Sequence, residues 1–416
     1  MRGFNVCLIV DVVILAAATS ASQPAQAVGN PVLEATYTSV NHGWDKVERW
    51  SDPDSNFTPE IFPADGRGNQ TDERLTYFGN DPQPDSDTFL LYYAPDWDTN
   101  ENETPVLLVL GATQNADQAW ADPSLNGPGG CGVYYCPSTG LMQDLVAAGY
   151  KVFAINFSHF FGDNYMQAQL ISDAIEIIRE ELDVPNVDIV AWSKGVLAAR
   201  MYVSSVKPSW GRAYGNDVRK LILLGGPNKG LDTPYRHGIQ NMGLVWPECG
   251  GVLNFPIAAE ILYCYGFYYS HPEYSYSGTG SADAYPGGRQ ALYRWDNVYP
   301  LDTTWPDWYT VYYGGWGYYS YSKGINVAIA QGSVIATMRA APTPAAVNVY
   351  LLCGGYPTIP TSTENTGPSD GVVFVASCTS TGGLTTVSGS TTLWTDNHVM
   401  LGWETYAVNH IKTWLN

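Results

Sequence analysis

The segment that decides the fold is 186–200, which reads Asn-Val-Asp-Ile-Val-Ala-Trp-Ser-Lys-Gly-Val-Leu-Ala-Ala-Arg. Its apolar run, Val187 to Ala191, is typical of a buried parallel strand, and a helix is expected from about 195 to 205. Ser193 lies in the sharp turn between them. Such a turn crowds the residues two before and two after the serine, and here these are the small residues Ala191 and Gly195. The pattern therefore predicts a serine hydroxyl presented at the carboxyl end of a strand; the alternative is a serine that caps an ordinary helix.

The sequence on both sides of this segment alternates between strand and helix patterns. Further buried strands are predicted at Phe89 to Ala94, Val106 to Leu110, Val152 to Phe157, Val218 to Leu224 and Val347 to Cys353, and a last strand is predicted to end near Trp394. Helices are predicted at about 138–148, 164–182 and 400–414. This alternation predicts an α/β fold, a mostly parallel sheet with helices on both faces.

A segment of different composition separates the strands at 218–224 and 347–353. We expect it to form a cap insertion at about 231–345, because 15 of the 29 tyrosines lie between Tyr263 and Tyr321. Its tryptophans are Trp295, Trp305, Trp308 and Trp316. Two interpretations are compatible: the rings pack on each other, or some of them line an apolar substrate surface.

The charge balance excludes some classes of partner. The chain of 416 residues has 20 basic and 40 acidic residues, a formal net charge of −20. A strongly acidic surface repels nucleic acid and anionic membranes at long range, so neither is an expected partner. Hydrophobic residues make up 45% of the sequence, enough for a large core.

The amino terminus has the layout of a secretory signal peptide. Arg2 precedes an apolar stretch from Val6 to Ala18, and a small-x-small cleavage site follows at Ala25-Gln26-Ala27. We expect residues 1–27 to be a signal peptide, 28–416 to form a single domain with the cap, and the protein to be secreted. Asp11 and the shortness of the apolar run argue against a membrane span, so no stable membrane anchor is expected.

The cysteine count agrees with export. Cys7 lies in the predicted signal peptide, which leaves six cysteines for an oxidising compartment. Nearest-neighbour pairing predicts the disulfides 131–136, 249–264 and 353–378, one of the several connectivities that six cysteines allow.

A serine needs a base to become a nucleophile. The chain has six histidines, and after an elbow of this kind the expected chain order is serine, acid, histidine. That order leaves His398 and His410. His398 lies just after the last predicted strand and is our choice, since His410 falls inside the final helix.

The acid is expected after the strand at 347–353. Asp370, in Gly-Pro-Ser-Asp-Gly-Val-Val, is the next aspartate and the predicted partner of the imidazole. Glu364 and Asp396 are the alternative acids. The alternative interpretation of Asp370 is an ordinary turn residue before Gly371.

Two backbone N–H groups are expected to bind a developing oxyanion. One is that of Lys194, directly after the serine. The other is expected from the loop after the strand at 106–110, where Ala112 is the first choice and Thr113 the alternative.

With these residues in place, the chain resembles the α/β-hydrolase superfamily and, within it, the secreted bacterial lipases. The resemblance covers roughly 104–232 and 346–400. It is carried by the segment around Ser193, by Leu-Gly-Gly-Pro-Asn-Lys-Gly at 224–230, by Ser-Asp-Gly-Val-Val at 369–373 and by the pair Asn397-His398. The chain looks most like the class-2 lipase group, which includes lipase-like extracellular polyhydroxyalkanoate depolymerases. The resemblance implies the α/β-hydrolase fold and ester hydrolysis.

Several residues depart from the family pattern. Trp192 and Lys194 flank the serine where this group usually has histidine and methionine or glutamine, and Leu110-Gly111 replaces the usual His-Gly. Some related lipases hold calcium with an aspartate shortly after the histidine, but 399–402 contains none. No calcium, other metal or cofactor is therefore predicted.

The sequence supports one function most strongly. It predicts a secreted serine carboxylic ester hydrolase acting through an acyl-enzyme on a lipid, a short ester or a polyester. One alternative is a non-catalytic, aromatic-rich secreted binding protein on a hydrolase scaffold, which a broken triad would favour. The other is a serine amidase or peptidase, since the same triad cleaves amides.

Overall fold

The computed structural model describes residues 31–53, 56–62, 66, 68–112, 114–236, 284–301, 309, 312–316, 321–322, 324–359, 362–363 and 366–416. The predicted signal peptide, 1–27, and the predicted disulfide 249–264 lie outside the described residues.

A nine-stranded, mostly parallel sheet forms the centre of the described fold. The described strands in chain order are β1 Val32–Tyr37, β2 Lys46–Ser51, β3 Thr88–Tyr93, β4 Val106–Val109, β5 Val152–Phe157, β6 Val187–Trp192, β7 Val218–Leu224, β8 Gly315–Trp316, β9 Tyr321–Ser322, β10 Asn348–Gly354, β11 Thr358–Ile359, β12 Ser362–Thr363 and β13 Val387–Leu393. The order of strands in the central sheet is β1-β2-β3-β5-β4-β6-β7-β10-β13. Strands β8 with β9 and β11 with β12 form two small separate sheets.

The helices lie on both faces of the sheet. In chain order they are α1 Asp72–Tyr77, α2 Leu141–Ala147, α3 Asn164–Leu182, α4 Gly195–Val203, α5 Thr233–Arg236, α6 Pro286–Gln290, α7 Ile325–Ala330, α8 Ile335–Ala340, α9 Val375–Cys378 and α10 Thr405–Leu415. Side chains of α3 and α4 pack against one face, and those of α2 and α10 against the other. The predicted α/β architecture is confirmed: a mostly parallel sheet is covered by helices on both faces.

The alternation of side chains along the strands explains these two layers. In β3, Phe89 and Leu91 join the α3–α4 layer, whereas Leu90 and Tyr92 join the α2–α10 layer. Because both faces are covered, the central strands β4, β5 and β6 are buried along their whole length. This double burial is why they read as continuous apolar runs in the sequence.

The first part of the chain contains more sheet than the sequence indicated. Only one strand was predicted before residue 100, but β1 and β2 also form, and β1, β2 and β3 pair antiparallel along one edge. Partial exposure explains the difference, since the β1 side chains are mostly exposed and the strand lacks an apolar run. The predicted last helix, 400–414, begins later, at Thr405, because 400–402 forms a 3₁₀ turn and Glu404 caps the helix by accepting a hydrogen bond from the Tyr406 N–H.

The predicted cap, about 231–345, falls between β7 and β10, and its boundaries remain a prediction. Some of its described rings are buried together; these include Tyr235, Tyr285 and Tyr312. A buried carboxylate also organises this region. Asp232 accepts hydrogen bonds from Arg236 at 2.8 Å and from the Tyr312 hydroxyl at 2.7 Å.

Two of the three predicted disulfides are confirmed. Cys131 is bonded to Cys136, and Cys353 at the end of β10 is bonded to Cys378 at the end of α9. Among the described residues no helix is both long enough and apolar enough to cross a bilayer.

Candidate active site

Ser193 occupies the turn between β6 and α4. Its φ is +55°, the left-handed region that non-glycine residues rarely adopt. The strained backbone is held from both sides, since the Ser193 N–H donates to the Leu224 carbonyl at 2.9 Å and the Ser193 carbonyl accepts from the Val196 N–H at 3.1 Å. Strain of this kind persists only where the surroundings impose it, and it occurs often at functional sites.

The turn leaves no room for larger side chains. A Cβ at Gly195 would lie 2.4 Å from the Leu110 carbonyl oxygen, and a Cβ at Gly111 would lie 2.7 Å from Ser193 Cβ. The first distance gives the physical reason for the small residue expected two positions after the serine. The second explains why glycine stands at 111, directly after the Leu110 that ends the apolar run of β4.

Ser193, His398 and Asp370 are joined by hydrogen bonds in one line. His398 Nε2 lies 2.8 Å from Ser193 Oγ, and His398 Nδ1 lies 2.8 Å from Asp370 Oδ2. Asp370 and His398 are buried, whereas Ser193 is partly exposed. The structure thus brings together three residues that are far apart in sequence, at the carboxyl ends of β6, β10 and β13.

The partners of Asp370 determine the tautomer of the imidazole. An ionised carboxylate only accepts hydrogen bonds, so His398 Nδ1 carries the proton and Nε2 presents its lone pair to the serine hydroxyl. The second carboxylate oxygen accepts from the backbone N–H groups of Val372 at 3.0 Å and Val373 at 2.7 Å. The His398 N–H also donates to the Asp370 carbonyl oxygen at 2.7 Å, which joins the two loops directly.

Two residues next to this line hold the histidine loop, and sequence reasoning gave them no role there. The Trp192 indole N–H donates to the His398 carbonyl oxygen at 3.1 Å. The Asn397 carboxamide donates to the carbonyl oxygens of Gly132 at 2.8 Å and Thr358 at 3.1 Å. The first contact explains why tryptophan fits before the serine, and the second attaches the histidine loop to the disulfide loop 131–136.

Glycines at two strand ends make space for His398 and Asp370. Gly225 follows β7 with φ +53°, and a Cβ there would lie 3.0 Å from His398 Nδ1. Gly354 ends β10, and a Cβ there would lie 2.8 Å from Asp370 Cβ. The sequence signal was the pair of Gly-Gly dipeptides, 225–226 and 354–355, each at the carboxyl end of a buried strand.

The described alternatives, His410 and Asp396, take no part in this line of hydrogen bonds, and the others lie outside the described residues. His410 lies on α10 with its ring 5.5 Å from that of Trp414. The Asp396 carboxylate accepts from the Thr395 hydroxyl at 2.8 Å, and burial raises its pKa to about 6. Glu364 and Thr113 are outside the described residues.

The two expected oxyanion donors are next to Ser193 in the chain or one residue from a glycine that contacts it. Lys194 is the next residue in the chain, and Ala112 follows Gly111, whose backbone is against the serine side chain. Among the described residues, neither N–H donates to a backbone carbonyl. Within the same described ranges, no group of three or more histidine, cysteine, aspartate or glutamate side chains has the arrangement of a metal site.

Comparison with known proteins gives likenesses in structure alone. No family model and no curated protein sequence matches the chain. The solved structures that resemble it include the mature form of the Bacillus licheniformis lipase BlEst2, at 12% identity and TM-score 0.39, over 74% of this chain and 91% of that one.

Two Bacillus subtilis enzymes are also similar. Carboxylesterase CesB (YbfK) is 8% identical with TM-score 0.34, over 79% of this chain and 87% of that one. Naproxen esterase (carboxylesterase NP) is 10% identical with TM-score 0.38, over 79% of this chain and 88% of that one.

Proposed function

We propose that the protein is a serine carboxylic ester hydrolase in which Ser193 is the nucleophile, His398 the general base and acid, and Asp370 the residue that orients the histidine. One observation carries the proposal: the line of hydrogen bonds from Asp370 through His398 to Ser193, with 2.8 Å at both ends of the imidazole. It ends on a serine that is held at φ +55° and is partly exposed. A buried structural network has no need of either feature.

The first half of the reaction forms an acyl-enzyme. Ser193 Oγ attacks the ester carbonyl carbon while its proton passes to His398 Nε2. The imidazolium is stabilised by the Asp370 carboxylate, which is held in place by hydrogen bonds from the N–H groups of Val372 and Val373. His398 then gives the proton to the leaving alkoxide. In the second half, water attacks the acyl-enzyme with His398 again as base, and Ser193 Oγ leaves with the proton.

The tetrahedral intermediate carries its charge on the former carbonyl oxygen. We assign the backbone N–H groups of Lys194 and Ala112 as its donors. Lys194 follows Ser193 in the chain, Ala112 follows Gly111, which lies against Ser193, and neither N–H donates to a backbone carbonyl among the described residues. Loss of one such donor typically lowers kcat by about 10² to 10³.

A neutral, apolar acyl group fits the surroundings best. Ala112 packs against a cluster of aromatic and aliphatic side chains that includes Phe160, Phe161, Tyr285 and Tyr312. The formal net charge of −20 disfavours anionic substrates. We therefore propose lipids, short esters or polyesters as the substrate class. The two disulfides are in keeping with secretion after removal of residues 1–27, which we also propose.

The test uses the mature protein and p-nitrophenyl esters from acetyl to palmitoyl. We expect hydrolysis by the wild type and its loss in Ser193→Ala, by about 10⁴-fold or more. His398→Ala should lose activity to a similar extent, whereas His410→Ala, the matched control on α10, should keep it. Labelling by a fluorophosphonate should be lost in Ser193→Ala and strongly slowed in His398→Ala, which removes the base, and it should persist in His410→Ala.

Two outcomes contradict the proposal. If Ser193→Ala hydrolyses the esters as fast as the wild type, the nucleophile is another group. If folded wild-type protein neither cleaves any ester nor reacts with the fluorophosphonate, the chain is no serine esterase. In that second case, cleavage of p-nitroanilides would support an amidase, and its absence would support a binding protein.

A further inference from the structure

The side chain of Lys194 is buried although it directly follows Ser193, which is partly exposed. The residue is 7% exposed, and its Nζ donates a hydrogen bond to Gln167 Oε1 on α3. Lysine is among the residues least often buried, because removing an ammonium group from water costs free energy. The sequence pattern indicated a role for the backbone of Lys194 and none for its side chain.

The side chain passes close to Gly287 on α6, where α6 packs against the loop at Gly162. A Cβ at Gly287, on α6, would lie 2.1 Å from Lys194 Cε and 2.1 Å from the Gly162 carbonyl oxygen. The Gly287 N–H donates to the Phe161 carbonyl oxygen at 2.9 Å. Lys194 is therefore held along its length as well as at its end.

The acceptor of the ammonium group is itself fixed. Gln167 Nε2 donates to the His159 carbonyl oxygen at 2.9 Å, which leaves Gln167 Oε1 turned towards Lys194. His159 is buried and accepts from the Phe161 N–H at Nδ1, while Nε2 donates to the Ile61 carbonyl oxygen at 3.0 Å. Burial lowers the pKa of His159 to about 4, so this imidazole is a neutral part of the frame.

Two carboxylates act on the buried charge. Burial lowers the pKa of Lys194 to about 7, while Glu60 and Asp163 oppose this shift. Glu60 is tied to the same loop, because its Oε1 accepts the Asp163 N–H at 2.6 Å. Elements from three parts of the chain thus converge on one side chain whose own peptide N–H adjoins Ser193.

We propose that the side chain of Lys194 is a positioning residue: anchored on Gln167, it fixes the peptide between Ser193 and Lys194 so that the Lys194 N–H points at the oxyanion. This inference rests on the proposed function. A donor that is already oriented needs no reorganisation as charge develops, so the anchor acts in the transition state and adds little to binding of the neutral ester.

The test compares Lys194→Met and Gln167→Leu with Lys220→Met. Methionine keeps the unbranched chain and removes the ammonium group. Lys220 is a matched control because it is 9% exposed and its Nζ donates to the Leu415 carbonyl oxygen at 2.8 Å, at the amino end of β7 and away from Ser193. The measurements are kcat and KM for p-nitrophenyl butyrate per fluorophosphonate-titrated site, and the inhibition constant of phenylboronic acid, a tetrahedral mimic.

We expect Lys194→Met and Gln167→Leu to lower kcat by about 10- to 100-fold with KM within about 3-fold. The inhibition constant of the boronic acid should rise by the same factor as kcat falls. Lys220→Met should keep all three values while losing stability. A purely structural role for Lys194 would lower the number of titratable sites and leave kcat per site unchanged.

The inference is overturned if either variant keeps wild-type kcat per site and wild-type affinity for the boronic acid. If Lys194→Met fails to fold, Gln167→Leu decides the question by the same criteria. Failure of the proposed function has a different signature, since wild-type activity would then survive Ser193→Ala or be absent altogether.

Discussion

Buried charged groups lie near both ends of strand β6, but their hydrogen bonds are arranged differently. At the amino end, Asp188 accepts two hydrogen bonds from Arg219, at 3.0 and 2.5 Å, and Lys220 donates to the carbonyl of Leu415. Each of these three charged side chains has a hydrogen-bond partner, either in the group or on the backbone. At the carboxyl end, the line from Asp370 through His398 ends on the partly exposed hydroxyl of Ser193.

Under the proposed function, this difference separates polar groups that stabilise the fold from polar groups that take part in the reaction. Paired charges offset the cost of their own desolvation, and at the amino end they form no line that ends on a partly exposed hydroxyl. A directional line keeps one reactive atom free to leave its partner. Burial of a polar side chain is therefore not enough to identify a candidate functional residue. The distinguishing feature is a line of hydrogen bonds that ends on a partly exposed hydroxyl whose backbone is strained.

The largest expected effect comes from exchanging one aspartate at each end. In Asp370→Asn, the N–H groups of Val372 and Val373 hold the amide oxygen, so the NH₂ group faces His398 Nδ1 and forces the wrong tautomer. We expect kcat to fall by about 10⁴-fold. Asp188→Asn should keep kcat within about 2-fold and lose about 1–3 kcal/mol of unfolding free energy. Steady-state kinetics measures kcat and urea unfolding measures the stability of each variant. Equal losses of kcat in Asp370→Asn and Asp188→Asn would contradict the proposed difference between the two ends of β6.

The next effect comes from adding a methyl group beside the serine. Gly195→Ala would place a Cβ 2.4 Å from the Leu110 carbonyl oxygen and displace the turn. We expect kcat to fall by about 100-fold and the unfolding free energy by about 1–3 kcal/mol. Gly149→Ala is the control, since its Cβ would lie 3.4 Å from Asn102 Nδ2 and only the φ of +82° adds strain. That variant should lose stability with kcat unchanged; an active Gly195→Ala enzyme would show that the turn is not under steric constraint.

A smaller effect is expected from the disulfide loop 131–136. Its Gly132 carbonyl holds Asn397, and its Cys131 carbonyl accepts from the Trp403 indole N–H at 3.0 Å. In a Cys131→Ser and Cys136→Ser double variant, the loop loosens but Asn397 keeps its bond to Thr358. We expect a loss of about 3- to 10-fold in kcat at unchanged KM. Unchanged kcat in the folded double variant would mean that the loop gives no support to His398.

The smallest effect on activity is expected at the second aspartate near the histidine. Burial raises the pKa of Asp396 to about 6 from an ordinary value near 3.8, so the folded state binds more protons than the unfolded state between about pH 4 and 6. Stability from this group is present at low pH and is lost as the pH rises through 6. Asp396→Asn should therefore gain about 1–2 kcal/mol relative to the wild type between pH 4 and 7, with kcat within about 3-fold.

Urea unfolding at pH 4.5 and 7 checks the stability difference, and ester hydrolysis checks the activity. A 10⁴-fold loss of kcat in Asp396→Asn would identify it as the acid in place of Asp370. An unfolding difference that does not change with pH would mean that the Asp396 carboxyl titrates alike in both states.

The order of the central elements was predictable because their signals are local. Strands buried on both faces, such as β5 at Val152–Phe157 and β7 at Val218–Leu224, were predicted with the bounds that they have in the structure. The helix at Asn164–Leu182 was predicted in the same way from its 3.6-residue period. The β1–β2 hairpin was not predictable, since its side chains are half exposed and its stability comes from pairing with β3.

The candidate site also has a part that the sequence predicted and a part that it did not. Ser193, Asp370 and His398 were selected from chain order and local motifs, and the fold brings them within hydrogen-bond distance. Their supports were not predicted, because the contacts of Trp192 with His398 and of Asn397 with Gly132 join residues more than 200 positions apart. Gly225 and Gly354 gave a visible signal, but only the packed structure shows which atoms require the missing Cβ.

The sequence by itself determined the layered α/β architecture and the position of the serine turn, because both depend on neighbours within a few residues. For the cysteines it left several connectivities open, and the structure has the pairs 131–136 and 353–378. The tertiary structure alone decided which carboxylate meets His398, which tautomer that contact imposes, and where the charge of Lys194 is buried. These outcomes depend on distances across the ends of different strands. Only folding of the whole sheet sets such distances, since no local pattern records how far apart two loops will lie.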